Sequence, residues 1–319
     1  MRCLGRNTRS PILRRFSFTQ KHRLPLTHIL LALAVVFVWG TNFVVIRWGL
    51  DGLPPFLLAA LRFALSALPW MLFLPRPAVP WSRMAAFGVL LGVGQFGLLY
   101  LAMRSSISPG LASLVIQMQV FFTIGLALLF MREKVRGDQL VGLLLAVAGL
   151  GVIALNLSAS VTVLGLALVL AAGFFWACAN LLVKTIGRVN MLHFMVWSSG
   201  FAVPPLLLLS WWLEGPLSAM LAAMQQASAL VWGSVLWQAV GNTLFGYGVW
   251  NWLLSRHPAA LVTPMALLVP VFGMSASALA LGEPLQPWKV QAALLVLAGL
   301  AVIVLWPRLQ TYRASRKLG

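Results

Sequence analysis

Acidic residues are nearly absent from this 319-residue chain: Asp and Glu together number five, against 23 Lys and Arg. The five are Asp51, Glu133, Asp138, Glu214 and Glu283, and all lie near the ends of apolar stretches. Histidine is equally sparse, with His22, His28, His193 and His257 at stretch ends or in the N-terminal segment. A metal centre needs such ligands clustered, so no metal or cofactor site is expected. Neither HExxH nor GxSxG nor a Walker motif occurs. Both an enzyme and an ATP-driven pump within this chain are therefore disfavoured. The two cysteines, Cys3 and Cys178, fall in the basic N-terminal segment and inside an apolar run, which excludes a disulfide framework. Charged residues of both signs make up only 9% of the chain, where soluble domains carry roughly 25%.

What replaces charge is hydrocarbon. Hydrophobic residues make up 61% of the chain and the mean hydropathy is +0.93. Ten apolar runs follow one another, at about 27–46, 53–74, 83–103, 109–130, 139–155, 164–184, 192–213, 230–253, 259–281 and 289–306. Most are long enough for a hydrocarbon core about 30 Å thick. They run continuously apolar, whereas the strands of a membrane barrel alternate. The expected fold is an all-α integral membrane protein with ten transmembrane helices, embedded in a lipid bilayer.

The basic excess does not read as a nucleic-acid surface, because Lys and Arg sit at the ends of apolar runs. Counting alternate loops and both tails, nineteen fall on one side and three, Arg47, Arg104 and Lys289, on the other. The positive-inside rule then puts both termini in the cytoplasm. Residues 1–26 and 307–319 read as basic cytoplasmic tails, the first without periodicity and so expected to be disordered. The first apolar run is too long for a signal peptide and has no small-residue cleavage site after it, so it reads as a retained helix.

The chain also repeats itself. Shifted by about 150 positions, 108–155 falls on 258–305: Glu133 lands on Glu283, and AGLGVIAL (148–155) on AGLAVIVL (298–305). A fainter echo, shifted by 137, places Phe37-Val38-Trp39 on Phe174-Phe175-Trp176. The repeats are 27–155 and 164–306, each with five helices. Five is odd, so the second half enters the membrane from the opposite side and the repeats are inverted. Two similar halves that can exchange conformations are a basis for alternating access, which favours a transporter of small molecules.

Polar residues inside apolar runs are expensive, and they supply the candidate site. Arg62 lies within the second run, either facing a cavity where it could attract a substrate carboxylate, or bonding neighbouring helix carbonyls and fixing packing. Amides form a fuller set, Asn42, Gln95, Gln117, Gln119, Asn180, Gln238, Asn242 and Asn251, spread over five helices; all but Gln238 and Asn242 enter the candidate substrate site. Each amide both donates and accepts hydrogen bonds, so a ring of them suits a small zwitterion; singly, each is equally an interhelical bond. Trp39, Trp176, Tyr247 and Trp250 read as cavity walls able to stack on a cation, whereas Trp70, Trp81, Trp211, Trp212 and Trp306 mark the membrane interface. Pro264 and Pro270 are expected to kink the ninth helix. Gly88, Gly92, Gly94 and Gly97 read as close-packing positions on the third. No carboxylate is expected at mid-membrane, which favours facilitated diffusion over a proton relay.

Several stretches resemble the EamA family of the drug/metabolite transporter superfamily: FVWGTNF (37–43), ALRF (60–63), PGLASLVIQMQVFFT (109–123) followed by Glu133, WACAN (176–180), GYGVW (246–250) and LLVPVFG (267–273). The likeness covers about 27–306. It implies ten helices around a central cavity lined chiefly by the first, third, fourth, sixth, eighth and ninth, in a multi-pass protein of the bacterial inner membrane. Within the family the chain is most similar to exporters of small amino acids and derivatives of the cysteine and O-acetylserine type. Other members' cargoes, such as drugs, purines or sugars, are the alternative, and a non-transporting membrane scaffold is a third reading. The oligomeric state is not legible.

Overall fold

The protein is described by a computed structural model covering residues 25–131, 136–158, 161–187, 189–257 and 259–317. Glu133 and nearly all of the basic N-terminal segment lie outside the described residues. Each of the ten apolar runs coincides with a helix. These are α1 (Leu26–Leu50), α2 (Pro55–Met71), α3 (Trp81–Ser105), α4 (Pro109–Phe130), α5 (Gly137–Leu155), α6 (Val163–Lys184) and α7 (Met191–Leu213). A short helix that no run foretold, α8 (Leu217–Gln226), is set at 103° to α9 (Ala229–Arg256), and α10 (Thr263–Leu281) and α11 (Pro287–Lys317) follow. The helix of α11 continues through the basic segment that the sequence separates at residue 307. Eight of the described helices are long and apolar enough to cross a membrane by themselves, and α8 with α9 qualifies as a bent pair; α2, with 17 residues, is shorter. Helix is the economical state for such runs, because every backbone polar group is satisfied within its own segment.

Deviations from α-helical winding recur at corresponding places. Nine residues of α3 (Val89–Gly97) and nine of α9 (Trp237–Phe245) are wound as π-helix. In α4 (Ile116–Met118) and α10 (Thr263–Leu268) the winding tightens to 3₁₀. The proline effect on α10 is thus local: Pro264 sits in the tightened segment and Pro270 follows at the start of the next α-helical one. π-helical insertions cluster at functional sites, and both of these border the cavity described below.

The most extensive packing is α5 with α11, α2 with α7, α1 with α10, α4 with α6, α3 with α6, and α1 with α9. Exchanging each helix of the first half for its counterpart in the second maps this set onto itself. Close approach depends on glycine: a Cβ on Gly88 would lie 2.2 Å from the carbonyl oxygen of Ser198, and one on Gly92 2.3 Å from the Cβ of Ala202. Gly40 and Gly273 do the same between α1, α10 and α4, where a Cβ would meet Val269 O at 2.7 Å and Ser113 Oγ at 2.4 Å.

Two carboxylates hold helix starts from far along the chain. Glu214, just past α7, accepts hydrogen bonds from the amides of Phe56 (2.7 Å) and Leu57 (3.1 Å) at the start of α2. Glu283, just past α10, accepts from Gly110 N at the start of α4 (3.0 Å), from the hydroxyls of Ser108 and Ser277, and from Lys289 Nζ (2.9 Å). A carboxylate at a helix N-terminus satisfies orphan N–H groups and complements the helix dipole. Arg47, at the end of α1, donates to Arg104 O at the end of α3 (2.9 Å), on the same face as Glu283. On the opposite face the His28 and His257 rings bond across α1 and α9 (2.6 Å), and Arg83 donates to Thr185 O (2.9 Å).

Candidate functional site

One cavity gathers the polar side chains that the apolar helices carry. Its space of about 680 Å³, part of it continuous with solvent, lies between α1, α3, α4, α6, α9 and α10. Seven of the eleven residues singled out from the sequence line it: Trp39, Asn42, Gln95, Gln117, Gln119, Trp176 and Tyr247. Phe43, Phe96, Leu99, Ile116, Asn242, Ala266 and Val269 complete the wall. Asn242 is legible as one of the intramembrane amides. The apolar members are not, because an apolar side chain on a membrane helix reads alike whether it faces a cavity, a neighbour or lipid.

Local winding explains why the polar residues converge. The π-helical stretch of α3 carries Gln95 and Phe96, and that of α9 carries Gln238, Asn242 and Thr243. A wider turn rotates successive side chains less than an α-helical one, so neighbours in sequence share a face. Trp39 Nε1 donates to the carbonyl of Asn242 (3.2 Å), a bond that pins the indole across the gap between α1 and α9. The same indole lies 5.4 Å from the Tyr247 ring and 5.2 Å from that of Trp250, centroid to centroid. Trp250 therefore backs the wall without forming it.

The other three candidates stand outside the lining in distinct ways. Asn180 is one bond removed: its Nδ2 donates to Gln119 Oε1 (2.9 Å), orienting an amide that does line the cavity. Asn251 lies one turn beyond Tyr247 on α9, with Nδ2 buried and without a partner among the described residues. Arg62, seven residues into α2 and so about 10 Å along it, is 1% exposed. Its guanidinium donates to Tyr100 Oη (2.8 Å) and Thr243 Oγ1 (3.2 Å), and its Cζ sits 3.7 Å from the Phe96 ring centroid. Arg62 thus bonds side-chain hydroxyls of neighbouring helices and sits behind a cavity-lining ring.

Among the described residues the lining holds no acidic, basic or imidazole side chain. It offers neutral donors and acceptors, two indoles and a phenol. Such a wall can hydrogen-bond a small polar solute and stack against a cation, and its own residues supply no proton relay. Among the described residues no group of three or more His, Cys, Asp or Glu could hold a metal ion.

Known proteins agree with this architecture. The chain is 40% identical over 283 residues to a protein of Salmonella typhimurium named "Probable amino-acid metabolite efflux pump", covering 86% of this chain and 93% of that one. A protein of Escherichia coli with the same name is 38% identical over 296 residues, covering 91% and 97%. A "Probable terminal-alkyne amino-acid exporter" of Streptantibioticus cattleyicolor is 26% identical, over 84% and 90% of the two chains. A crystal structure superposes with a TM-score of 0.58 at 19% identity, covering 88% of this chain and 98% of that one; at that identity the likeness is one of fold. The family description "EamA-like transporter family" matches residues 26–155 and again 163–305, nearly the whole chain, and the protein accordingly belongs to that family.

Proposed function

We propose that this protein exports small amino acids and their derivatives, of the cysteine and O-acetylserine type, through the central cavity by alternating access. The observation that carries the reading is the cavity itself: amides and indoles from five helices of both halves, with no acidic, basic or imidazole side chain among the described residues of the wall. A zwitterion has equal need of donors, acceptors and a polarisable surface, and this wall supplies all three. The names borne by the relatives at 38–40% identity, amino-acid metabolite efflux pumps, support a cargo of that broader class.

Ten crossings in two inverted five-helix repeats, 27–155 and 164–306, are part of the proposal. The exchange-symmetric packing and the matched π-helical and 3₁₀ segments support it. The nineteen-to-three distribution of Lys and Arg supports an inner-membrane protein with both termini in the cytoplasm. That orientation makes the His28 face cytoplasmic. On the Glu283 face, Leu111, Ala112 and Leu114 of α4 are fully buried, whereas none of Thr263–Leu268 on α10 is buried. The arrangement fits a carrier closed outside and open inside, which a swap of conformations between the halves would invert. In the cavity as it stands, substrate contact is assigned to the seven lining residues, with Asn180, Trp250 and Asn251 shaping them and Arg62 one ring behind.

Efflux from loaded proteoliposomes tests the proposal, with labelled cysteine, O-acetylserine, other amino acids, a purine and a cationic dye as cargo, with and without a pH gradient. Release of cysteine or O-acetylserine that Gln119→Ala slows is expected, with no acceleration by the pH gradient. Movement of purine or dye alone would overturn the cargo, and no movement by folded, inserted protein would overturn the transport reading.

A further inference from the structure

Arg62 is a buried cation without an anion. Among the described residues its guanidinium forms no ion pair, and both of its hydrogen-bond partners are neutral hydroxyls. Those hydroxyls are committed elsewhere as donors: Tyr100 donates to Gln238 Oε1, and Thr243 to the Gln238 carbonyl (3.0 Å). Two further donors of the same cluster, Arg62 Nε and Gln238 Nε2, are buried and have no acceptor. The cluster thus has surplus positive charge and surplus N–H groups. A buried charge left unpaired is among the costliest features a fold can hold, and one anion would cancel both surpluses.

On the cavity side the imbalance is reversed. Asn42 and Gln95 both line the cavity and are each 3% exposed, and their oxygens Oδ1 and Oε1 have no hydrogen-bond donor among the described residues. The terminal amide torsion is broad and two-fold, so either amide can turn its acceptor to the cavity. Surplus acceptors sit within the wall, on side chains that line the cavity, and surplus donors lie behind it. What divides them is the ring of Phe96, which lines the cavity and stacks on the guanidinium. Phe96 stands on the π-helical stretch of α3.

We infer that Phe96 is a movable partition that sets substrate specificity: it swings aside to let Arg62 take the substrate's carboxylate while Asn42 and Gln95 take its ammonium group. The inference rests on the cavity being the site for a small zwitterion, and it adds a requirement for a free carboxylate and a role for a residue of no polarity. Amino-acid esters and the corresponding amines, which keep the ammonium and lose the anion, are then poor ligands.

Binding in detergent, read from tryptophan fluorescence with Trp39 and Trp176 in the wall, tests this without the passive leak that esters show across vesicles. The probes are cysteine, cysteine methyl ester and cysteamine. Purified protein is expected to bind cysteine at least tenfold more tightly than either analogue. Arg62→Gln should bring that ratio close to one, and Arg62→Lys should retain most of it. Phe96→Ala should keep the ratio and tighten cysteine binding severalfold, because no ring has to move, and Phe96→Trp should weaken it. Equal binding of acid and ester to the unaltered protein would overturn the inference while leaving the cavity reading intact. So would a ratio that survives Arg62→Gln. Should that variant not fold, unchanged cysteine affinity in both Phe96 variants would overturn it equally. If no amino acid binds at all, the cavity reading fails and takes this inference with it.

Discussion

Replacing Glu283 by Gln tests whether the face carrying the start of α4 is held by one buried ion pair. Lys289 is 1% exposed and its ammonium lies 2.9 Å from Glu283 Oε1. The carboxylate also accepts from Ser108, Ser277 and the amide of Gly110. Glutamine keeps the shape and one acceptor but removes the charge, leaving Lys289 buried and unpaired. Breaking a buried pair from one side costs about 3–5 kcal/mol. At about 2–4 °C per kcal/mol, the thermal midpoint in detergent should fall on the order of 10 °C. Lys289→Met is the milder change, since the remaining carboxylate keeps three uncharged donors. Combining the two should restore much of the loss of Glu283→Gln, because the orphaned ammonium is gone. Midpoints followed by tryptophan fluorescence for the four proteins complete the cycle. A midpoint for Glu283→Gln within two or so degrees of the parent would refute the reasoning. So would a double variant whose loss is the sum of the two single ones.

Other expectations follow from the same contacts. Burial pushes the Glu283 carboxyl up, but the donors Ser108, Ser277, Lys289 and Gly110 outweigh it and hold the group below the ordinary range. With the folded value depressed, its stabilisation is complete above the ordinary glutamate value of about 4.3 and is lost as pH falls through the folded value. The acid-side decline in thermal midpoint should therefore be steeper in the parent than in Glu283→Gln, and parallel profiles would count against it. Gly88→Val places a side chain against the Ser198 carbonyl, with no flexible group to yield; overpacking of about 1–3 kcal/mol or more should lower the yield of folded protein, whereas Gly151→Ala, which meets nothing within 4 Å, should not. Asn180→Ala removes one hydrogen bond, worth about 1 kcal/mol, so its thermal midpoint should move little while efflux falls through the released Gln119 amide. Equal losses of stability and efflux would assign Asn180 to packing alone.

Much of this molecule was decided locally. Continuous apolar runs forced helices, because an unpaired backbone N–H or C=O has no partner in hydrocarbon, and every run identified from the sequence became one. Polar residues in such runs stand out by their cost, which is why Asn42, Gln95, Gln117 and Gln119, chosen on that ground, line the cavity. The glycines of α3 were legible as contact points for the same reason, since a position without a side chain on an apolar helix marks close approach. Three features depended on tertiary structure. Phe96, Leu99 and Val269 line the cavity only because of what stands opposite them, and nothing in their chemistry separates a lining residue from a lipid-facing one. The π-helical turns of α3 and α9 carry no signal in residue type, and they decide which side chains share a face. The position of Arg62, one ring behind the wall, arises from three helices meeting, so residue type reveals a costly buried charge and only the assembled fold reveals what it lacks.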